Sequence, residues 1–173
     1  MPELLLTGLD LALASVADVA PRTRARLAPD AVARMTASRA TVERAVAEGR
    51  TSYGITTGFG AFANRRIPAS KVLVLQANLV RSHATGVGAP LDAEHVRRIL
   101  LLKANNLAAG ASGVRPVVVE ALLALLAADV LPVIPGRASV GASGDLAPLA
   151  HLALALTGEG EATRDGERLE GAA

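Results

Sequence analysis

The stretch Pro116-Val-Val-Val-Glu-Ala-Leu-Leu-Ala-Leu-Leu-Ala-Ala-Asp-Val130 decides the fold class. Proline suits the first turn of a helix, and the alanines and leucines that follow favour a helix strongly. Glu120, Asp129 and Pro132 interrupt the apolar run, which is unfavourable for a membrane span of about 20 residues. We therefore predict a buried helix in a mainly α protein and no membrane partner.

The composition supports a helical core. Of 173 residues, 51% are hydrophobic, and the only aromatic side chains are Tyr53, Phe59 and Phe62, so the core must consist of Leu, Val, Ile and Ala. The 18 basic and 16 acidic residues form no one-sided basic stripe, and we expect no nucleic-acid partner. The chain has no cysteine, which excludes thiol catalysis and thiolate metal sites and is compatible with a cytoplasmic location.

Apolar periodicity and turn residues predict the remaining elements. Residues 3–7 are predicted as a short strand, and Asp165-Gly166 predicts a hairpin over residues 161–170. Four polar residues are candidate N-caps, namely Asp30, Ser70, Asp92 and Asp145. The further helices are expected over residues 9–19, 30–48, 70–83, 92–108 and 146–157.

Two glycine-rich loops separate these helices. Residues 51–60 contain three glycines and the only tyrosine, Tyr53, and residues 139–144 precede a helix. No Gly-Lys-Ser/Thr follows a glycine-rich loop, so no nucleotide is expected, and Gly141-Ala-Ser-Gly144 lacks the spacing of a nucleophile elbow. His83, His95 and His151 lack the spacing of metal ligands, so no metal is expected either.

The tripeptide Ala-Ser-Gly occurs twice, at 111–113 and 142–144, and on composition alone either copy is a turn with a serine cap. Longer motifs distinguish the second copy. They are Tyr53-Gly-Ile-Thr-Thr-Gly-Phe-Gly60, Asn78-Leu-Val-Arg-Ser-His-Ala-Thr-Gly-Val-Gly88 and Ser139-Val-Gly-Ala-Ser-Gly-Asp-Leu-Ala-Pro-Leu-Ala-His151. In order and approximate spacing, these motifs resemble the aromatic amino acid ammonia-lyase family, and its histidine enzymes most of all.

That resemblance covers about residues 4–160 and implies an architecture. We expect a mainly α fold with a few short strands, similar to the N-terminal region of the helical, aspartase/fumarase-like ammonia-lyase fold. Residues 1–173 would then be the N-terminal cofactor-bearing region, truncated before the long helical bundle. The expected partners are the missing C-terminal part of the enzyme and further subunits of a homotetramer.

The resemblance also implies a cofactor that forms from the chain itself. In the family, the glycine nitrogen of Ala-Ser-Gly attacks the alanine carbonyl, and loss of two waters leaves a methylidene-imidazolone. Here the cofactor would form from Ala142, Ser143 and Gly144, and glycine tolerates the compressed backbone that this closure needs. Asp145 and Gly60 are expected to support the ring.

The matching positions imply roles for two further side chains. The electrophilic alkene captures the α-amino group of the amino acid substrate, and Tyr53 matches the base that removes the β-proton. A phenol serves as a base near neutral pH only if neighbouring donors or positive charge stabilise the phenolate. His83 matches a histidine that lines the substrate pocket of the histidine enzymes. Ser112 is expected to be structural, and His95 and His151 receive no role.

The implied reaction is elimination of ammonia from L-histidine to give trans-urocanate, the first step of histidine degradation. Thr56 leaves alternatives open, because histidine enzymes commonly have Asn there and phenylalanine-type enzymes commonly have Thr. The alternatives are a tyrosine or phenylalanine ammonia-lyase, an aminomutase with the same cofactor, and an inactive truncated fragment.

Overall fold

The computed structural model describes residues 3–60, 67–142 and 144–170, and helices dominate these ranges. The helices are α1 (Leu13–Ala17), α2 (Pro29–Ala47), α3 (Ala69–His83), α4 (Ala93–Ala108), α5 (Pro116–Ala128) and α6 (Leu146–Leu156). The strands are β1 (Leu4–Leu6), β2 (Ala25–Leu27), β3 (Val87–Pro90), β4 (Leu131–Pro132), β5 (Pro135–Arg137), β6 (Glu161–Arg164) and β7 (Glu167–Glu170). The predicted fold class, mainly α with a few short strands, is confirmed.

The core lies where α4 and α5 pack against each other. Leu100 and Leu101 of α4 and Leu122 and Leu126 of α5 are almost completely buried, and Met35 of α2 joins them. Full burial of one such side chain stabilises the fold by about 1.5–3 kcal/mol. The helix predicted over residues 116–130 is confirmed as α5, but it ends at Ala128 and only one face is buried, with Val117 55% exposed.

Three small sheets flank the helices. Strands β1 and β2 pair in parallel, β3 and β5 pair antiparallel, and β4, β6 and β7 form an antiparallel sheet. The β6–β7 hairpin turns at Asp165 and Gly166 with φ of 51° and 85°, as expected for a type I′ turn at an Asp-Gly pair. The sequence predicted β1 and this hairpin, but not β2 to β5.

Helix α2 begins earlier than predicted because of a long-range strand contact. The Ala28 N–H donates to the Leu6 carbonyl at 2.9 Å, which prolongs the β1–β2 pairing and keeps the chain extended up to Ala28. Ala28 is therefore the N-cap, and Pro29 occupies the first turn. Asp30, the predicted cap, instead forms an ion pair with Arg34 at 2.7 Å.

The other predicted caps also need correction. The N-cap of α3 is Pro68, not Ser70. Asp92 and Asp145 do occupy N-cap positions of α4 and α6, but neither side chain forms a capping hydrogen bond. The first helix covers only residues 13–17 of the predicted 9–19; Leu9 before it and Leu13 at its start are exposed.

Helix α3 differs from the core helices in its packing. It contacts α6 on one side, and every side chain described between residues 71 and 83 is at least partly exposed. Leu73 and Val74 are 83% and 60% exposed. Within the described ranges, no helix combines the length and apolar character that a membrane crossing requires.

Candidate functional site

The loop that carries Tyr53 is held together by the hydroxyl of Thr56. This oxygen accepts the Ser52 N–H at 2.9 Å and donates to the Arg50 carbonyl at 2.6 Å. The Thr56 carbonyl accepts the Ile67 N–H at 3.0 Å, and Thr56 is only 8% exposed. The side chain at position 56 therefore stabilises the conformation of this loop.

The neighbouring Thr57 closes the other half of the same loop. Its hydroxyl accepts the Gly54 N–H at 3.3 Å and donates to the Gly58 carbonyl at 3.0 Å, and the residue is almost completely buried. The Gln76 amide donates to the Gly54 carbonyl at 3.3 Å and so links the loop to α3. The two threonines thus satisfy backbone groups that no helix or strand would pair.

Tyr53 itself projects from the surface of this loop. Tyr53 is 66% exposed to solvent. Its ring packs edge-on against the ring of Phe59, with the ring centroids 5.9 Å apart. The phenol is therefore accessible, while the ring is oriented by one aromatic neighbour.

A cleft of about 670 Å³ brings two of the predicted site residues together. Gly60 and Phe59 from the Tyr53 loop form part of its wall, and Leu79, Ser82 and His83 from α3 form another part. Gly60 has φ of +54°, a backbone conformation that favours glycine, and a Cβ there would meet no atom of the described residues within 4 Å.

The imidazole of His83 is oriented by the last turn of α3. Its Nδ1 lies 2.7 Å from the Leu79 carbonyl oxygen and 3.1 Å from the Ser82 hydroxyl. A carbonyl can only accept, so in the neutral ring the proton is on Nδ1 and Nε2 is left as an acceptor. The cleft therefore presents an imidazole of defined tautomer to a ligand.

The tripeptide loop joins β5 to α6 and is exposed at Ala142 and Gly144, whereas Ser143 lies outside the described residues. Gly144 has φ of +95°, a conformation that glycine adopts readily. Beneath it the chain folds back on α6, because the Leu146 N–H donates to the Val140 carbonyl at 3.0 Å and the Ala147 N–H donates to the Ser139 carbonyl at 3.1 Å.

These hydrogen bonds occupy N–H groups at the start of α6 that could otherwise bind a negative charge. Leu146 and Ala147 already use their N–H groups, Leu149 donates to the Asp145 carbonyl at 2.9 Å, and Pro148 has no N–H. The first turn of α6 can therefore stabilise a nearby negative charge through the helix dipole but not through free N–H donors. Asp145 stands at this position with φ of +50°.

A second cleft, of about 430 Å³, contains the other pair of predicted residues. Gly144 and Asp145 line it together with Lys103 and Asn106 of α4. The structure thus groups Gly60 with His83, and Gly144 with Asp145, but it does not unite the two pairs in one cleft. Within the described residues, no three His, Asp or Glu side chains are close enough to hold a metal ion.

The first Ala-Ser-Gly copy forms the connection between α4 and α5. The Gly113 N–H donates to the Ser38 hydroxyl at 3.0 Å, and a Cβ on Gly113 would overlap the Val42 side chain. Ser112 is exposed beside this packed turn. The surroundings of this copy match the expected structural role.

Sequence reasoning gave no role to His151, but the structure shows a specific contact. Its Nε2 accepts the Gly86 N–H at 3.0 Å, 65 residues away in the chain. Burial lowers the pKa of His151, which favours the neutral ring that such an acceptor requires. The available signal was a single histidine in an otherwise apolar helix, which by itself indicates no partner.

A family model described as aromatic amino acid lyase matches residues 11–173. The chain belongs to the aromatic amino acid lyase family. Recognition of the family from the three motifs is therefore confirmed.

Relatives within the aromatic amino acid lyase family include enzymes of several activities. Histidine ammonia-lyase of Geobacillus thermodenitrificans is 51% identical over 96% of this chain and 33% of its own length. The structure of ergothionase from Treponema denticola has a TM-score of 0.91 and 32% identity, covering 97% of this chain and 34% of that one. Tyrosine aminomutase from Streptomyces globisporus has a TM-score of 0.86 and 37% identity over 98% and 32%. The chain thus spans about a third of the length of its curated relatives.

Proposed function

We propose that this chain is the N-terminal, cofactor-bearing part of a histidine ammonia-lyase that converts L-histidine to trans-urocanate and ammonia. The supporting observation is the cleft in which Gly60 and His83, from two separate motifs, stand together. His83 lines this cleft with Nε2 left as an acceptor, which suits the N–H of a substrate imidazole. The 51% identity to a histidine ammonia-lyase supports the same substrate.

The cofactor in this proposal arises from Ala142, Ser143 and Gly144. The Gly144 nitrogen forms a bond to the Ala142 carbonyl carbon, and the carbonyl oxygen leaves as water with the two amide protons of Gly144 and Ser143. A second water takes the Ser143 hydroxyl and the Ser143 α-proton, which leaves an exocyclic double bond. The exposed loop and the φ of +95° at Gly144 support this closure, because glycine adopts such a conformation without strain.

Each of the remaining site residues has its own role in the proposed elimination. When formed, the methylidene-imidazolone supplies an electrophile, which ordinary side chains lack. Tyr53 removes the substrate β-proton, and its exposed phenol is free to meet a ligand. His83 orients the imidazole, Asp145 stands beside the tripeptide in the second cleft, and Gly60 shapes the wall of the first.

The division of these residues between two clefts favours a site that is completed by more protein. We therefore propose that the C-terminal part of the enzyme and further copies in a homotetramer bring the two groups together. We further propose a cytoplasmic enzyme of histidine degradation, whose partners do not include nucleic acid, a membrane, a metal or a nucleotide.

The aminomutase and the tyrosine or phenylalanine lyase readings receive less support. The curated relatives at 51% to 55% identity are histidine ammonia-lyases, although among solved structures a tyrosine aminomutase and a histidine ammonia-lyase are about equally similar, at 37% and 36% identity. Thr56, which left these readings open, uses its hydroxyl for the Arg50 and Ser52 backbone. It is therefore explained by loop architecture without reference to a substrate.

Intact mass tests this proposal. We expect the chain, co-expressed with the C-terminal part of the enzyme, to be lighter by two waters, and we expect Ser143→Ala to abolish the loss while Ser112→Ala retains it. The assembled enzyme should then form urocanate from L-histidine faster than it deaminates tyrosine or phenylalanine. An unmodified mass, with or without the C-terminal part, would leave the inactive fragment as the correct reading.

A further inference from the structure

The contact between His151 and Gly86 lies where four segments meet. Gly86 follows the end of α3 by three residues and leads directly into β3. Strand β3 pairs with β5, and β5 continues into the tripeptide loop. His151 belongs to α6, which follows that loop. One hydrogen bond of 3.0 Å therefore joins the His83 end of α3 to the helix behind the tripeptide.

The contact leaves no room for a side chain on Gly86. A Cβ on Gly86 would lie 2.9 Å from the His151 Nε2 and 3.0 Å from the Pro135 Cβ, both too close for a side chain. Gly86 is thus held between the imidazole and the strand that leads to the tripeptide. A side chain at position 86 would displace the imidazole or Pro135, so this contact requires glycine.

The same region contains a second link between α3 and the end of α6. Arg81 forms a two-point ion pair with Glu159, with N–O distances of 2.5 and 2.9 Å. Both partners of this pair are solvent-exposed, so it contributes little by itself. The partly buried His151–Gly86 bond is therefore the more specific of the two connections.

We propose that His151 is a positioning residue, whose Nε2 fixes the His83 end of α3 relative to α6 and so sets the wall of the cleft in which Gly60 and His83 stand. The importance of that cleft for catalysis rests on the proposed function, whereas the positioning itself does not. Only the neutral imidazole with its proton on Nδ1 can accept the Gly86 N–H.

Charged and titratable groups lie on the elements that pack near this position. They are Arg81 and His83 on α3, Arg137 on β5, Glu159 after α6, and Glu161 and Arg164 on β6. Arg81 and Glu159 are committed to each other, and Arg137 packs along Gly88. His83 is the other histidine among them, so the test must separate its signals from those of His151.

The first experiment measures amide hydrogen exchange of the 173-residue chain by NMR, with three variants. His151→Leu removes the acceptor, His151→Gln places an oxygen the same number of bonds from Cβ as Nε2, and His95→Leu replaces an exposed histidine of α4 as the matched control. We expect exchange at Gly86 to accelerate about two- to tenfold in His151→Leu, as for one lost hydrogen bond, and to return to within about twofold in His151→Gln.

The amide resonances of residues 82–84 extend the test to the end of α3. They should shift in His151→Leu and stay close to the unsubstituted positions in His151→Gln and His95→Leu. Unchanged exchange at Gly86 in His151→Leu, or equal effects of Leu and Gln at position 151, would overturn the proposal. If His151→Leu does not fold, the comparison of the unsubstituted chain with His151→Gln across the pH series tests the proposal instead.

The pH series provides a readout that simple packing would not change. Protonated Nε2 cannot accept, so resonances of residues 84–86 should move with the His151 ring protons, at a midpoint below the ordinary histidine range because burial lowers the pKa of His151. The movement should vanish in His151→Gln. If the resonances of residues 84–86 still move with pH in His151→Gln, together with the His83 ring protons, the proposal is overturned. The mass measurement decides the lyase proposal separately, so failure of either is distinguishable from failure of the other.

Discussion

Replacement of Thr56 by valine tests how the Tyr53 loop is held. Valine keeps nearly the same shape and removes only the hydroxyl. The loop then loses the hydrogen bond from the Ser52 N–H at 2.9 Å and the one to the Arg50 carbonyl at 2.6 Å. We expect the loop to open more often, with the rest of the fold intact.

The size of the effect follows from these two bonds. Each neutral hydrogen bond contributes about 1 kcal/mol net, so closure of the loop should weaken by about 2 kcal/mol. A change of that size raises the open population about 30-fold. Because the loop lies outside the Leu-rich core around α4 and α5, we expect the global unfolding transition to move much less.

Two measurements check this expectation. Amide exchange at Ser52 should accelerate by about the same 30-fold in Thr56→Val. Tyrosine fluorescence should change with it, because Tyr53 is the only tyrosine and the chain has no tryptophan. Thr56→Ser, which keeps the hydroxyl, is the matched control. Equal exchange rates in the valine and serine variants would refute the idea that the hydroxyl holds the loop.

Other parts of the fold give further predictions. Asp129→Asn should lower the free energy of unfolding by about 3 kcal/mol in urea titrations, because it removes the charge partner of the buried Arg97 while Asn still tolerates the φ of 54°. Hydrogen bonds from Arg97 lower the pKa of Asp129, so this stabilisation should be present above about pH 4 and be lost as the pH falls through the lowered pKa, a loss that Asp129→Asn should not show. Gly8→Ala should destabilise the fold by about 3 kcal/mol in the same titrations, because φ is +80° and the new Cβ would overlap the backbone after α4. Leu73→Glu should reduce concentration-dependent self-association in sedimentation velocity, because this leucine is 83% exposed, whereas Lys71→Glu on the same helix should not.

The sequence alone determined the elements that depend on local signals. The range predicted for the helix of residues 92–108 agrees with α4 to within one residue, and Pro116 begins α5 as expected. The Asp165-Gly166 turn was predicted because a type I′ turn needs two residues that tolerate positive φ, a property of the pair itself. The three motifs identified the family because they are long and occur in a fixed order, so composition alone does not produce them.

Features that arise between distant segments became visible only in the three-dimensional structure. The start of α2 moved from Asp30 to Pro29 because Ala28 pairs with Leu6 across the parallel sheet. Strands β3 and β5 are short and contain proline, and each becomes a strand only by pairing with the other. The contact of His151 with Gly86 likewise spans 65 residues. The sequence gives the chemistry of each side chain. Its contact partner depends on how helices and strands pack, and no local sequence pattern encodes this packing.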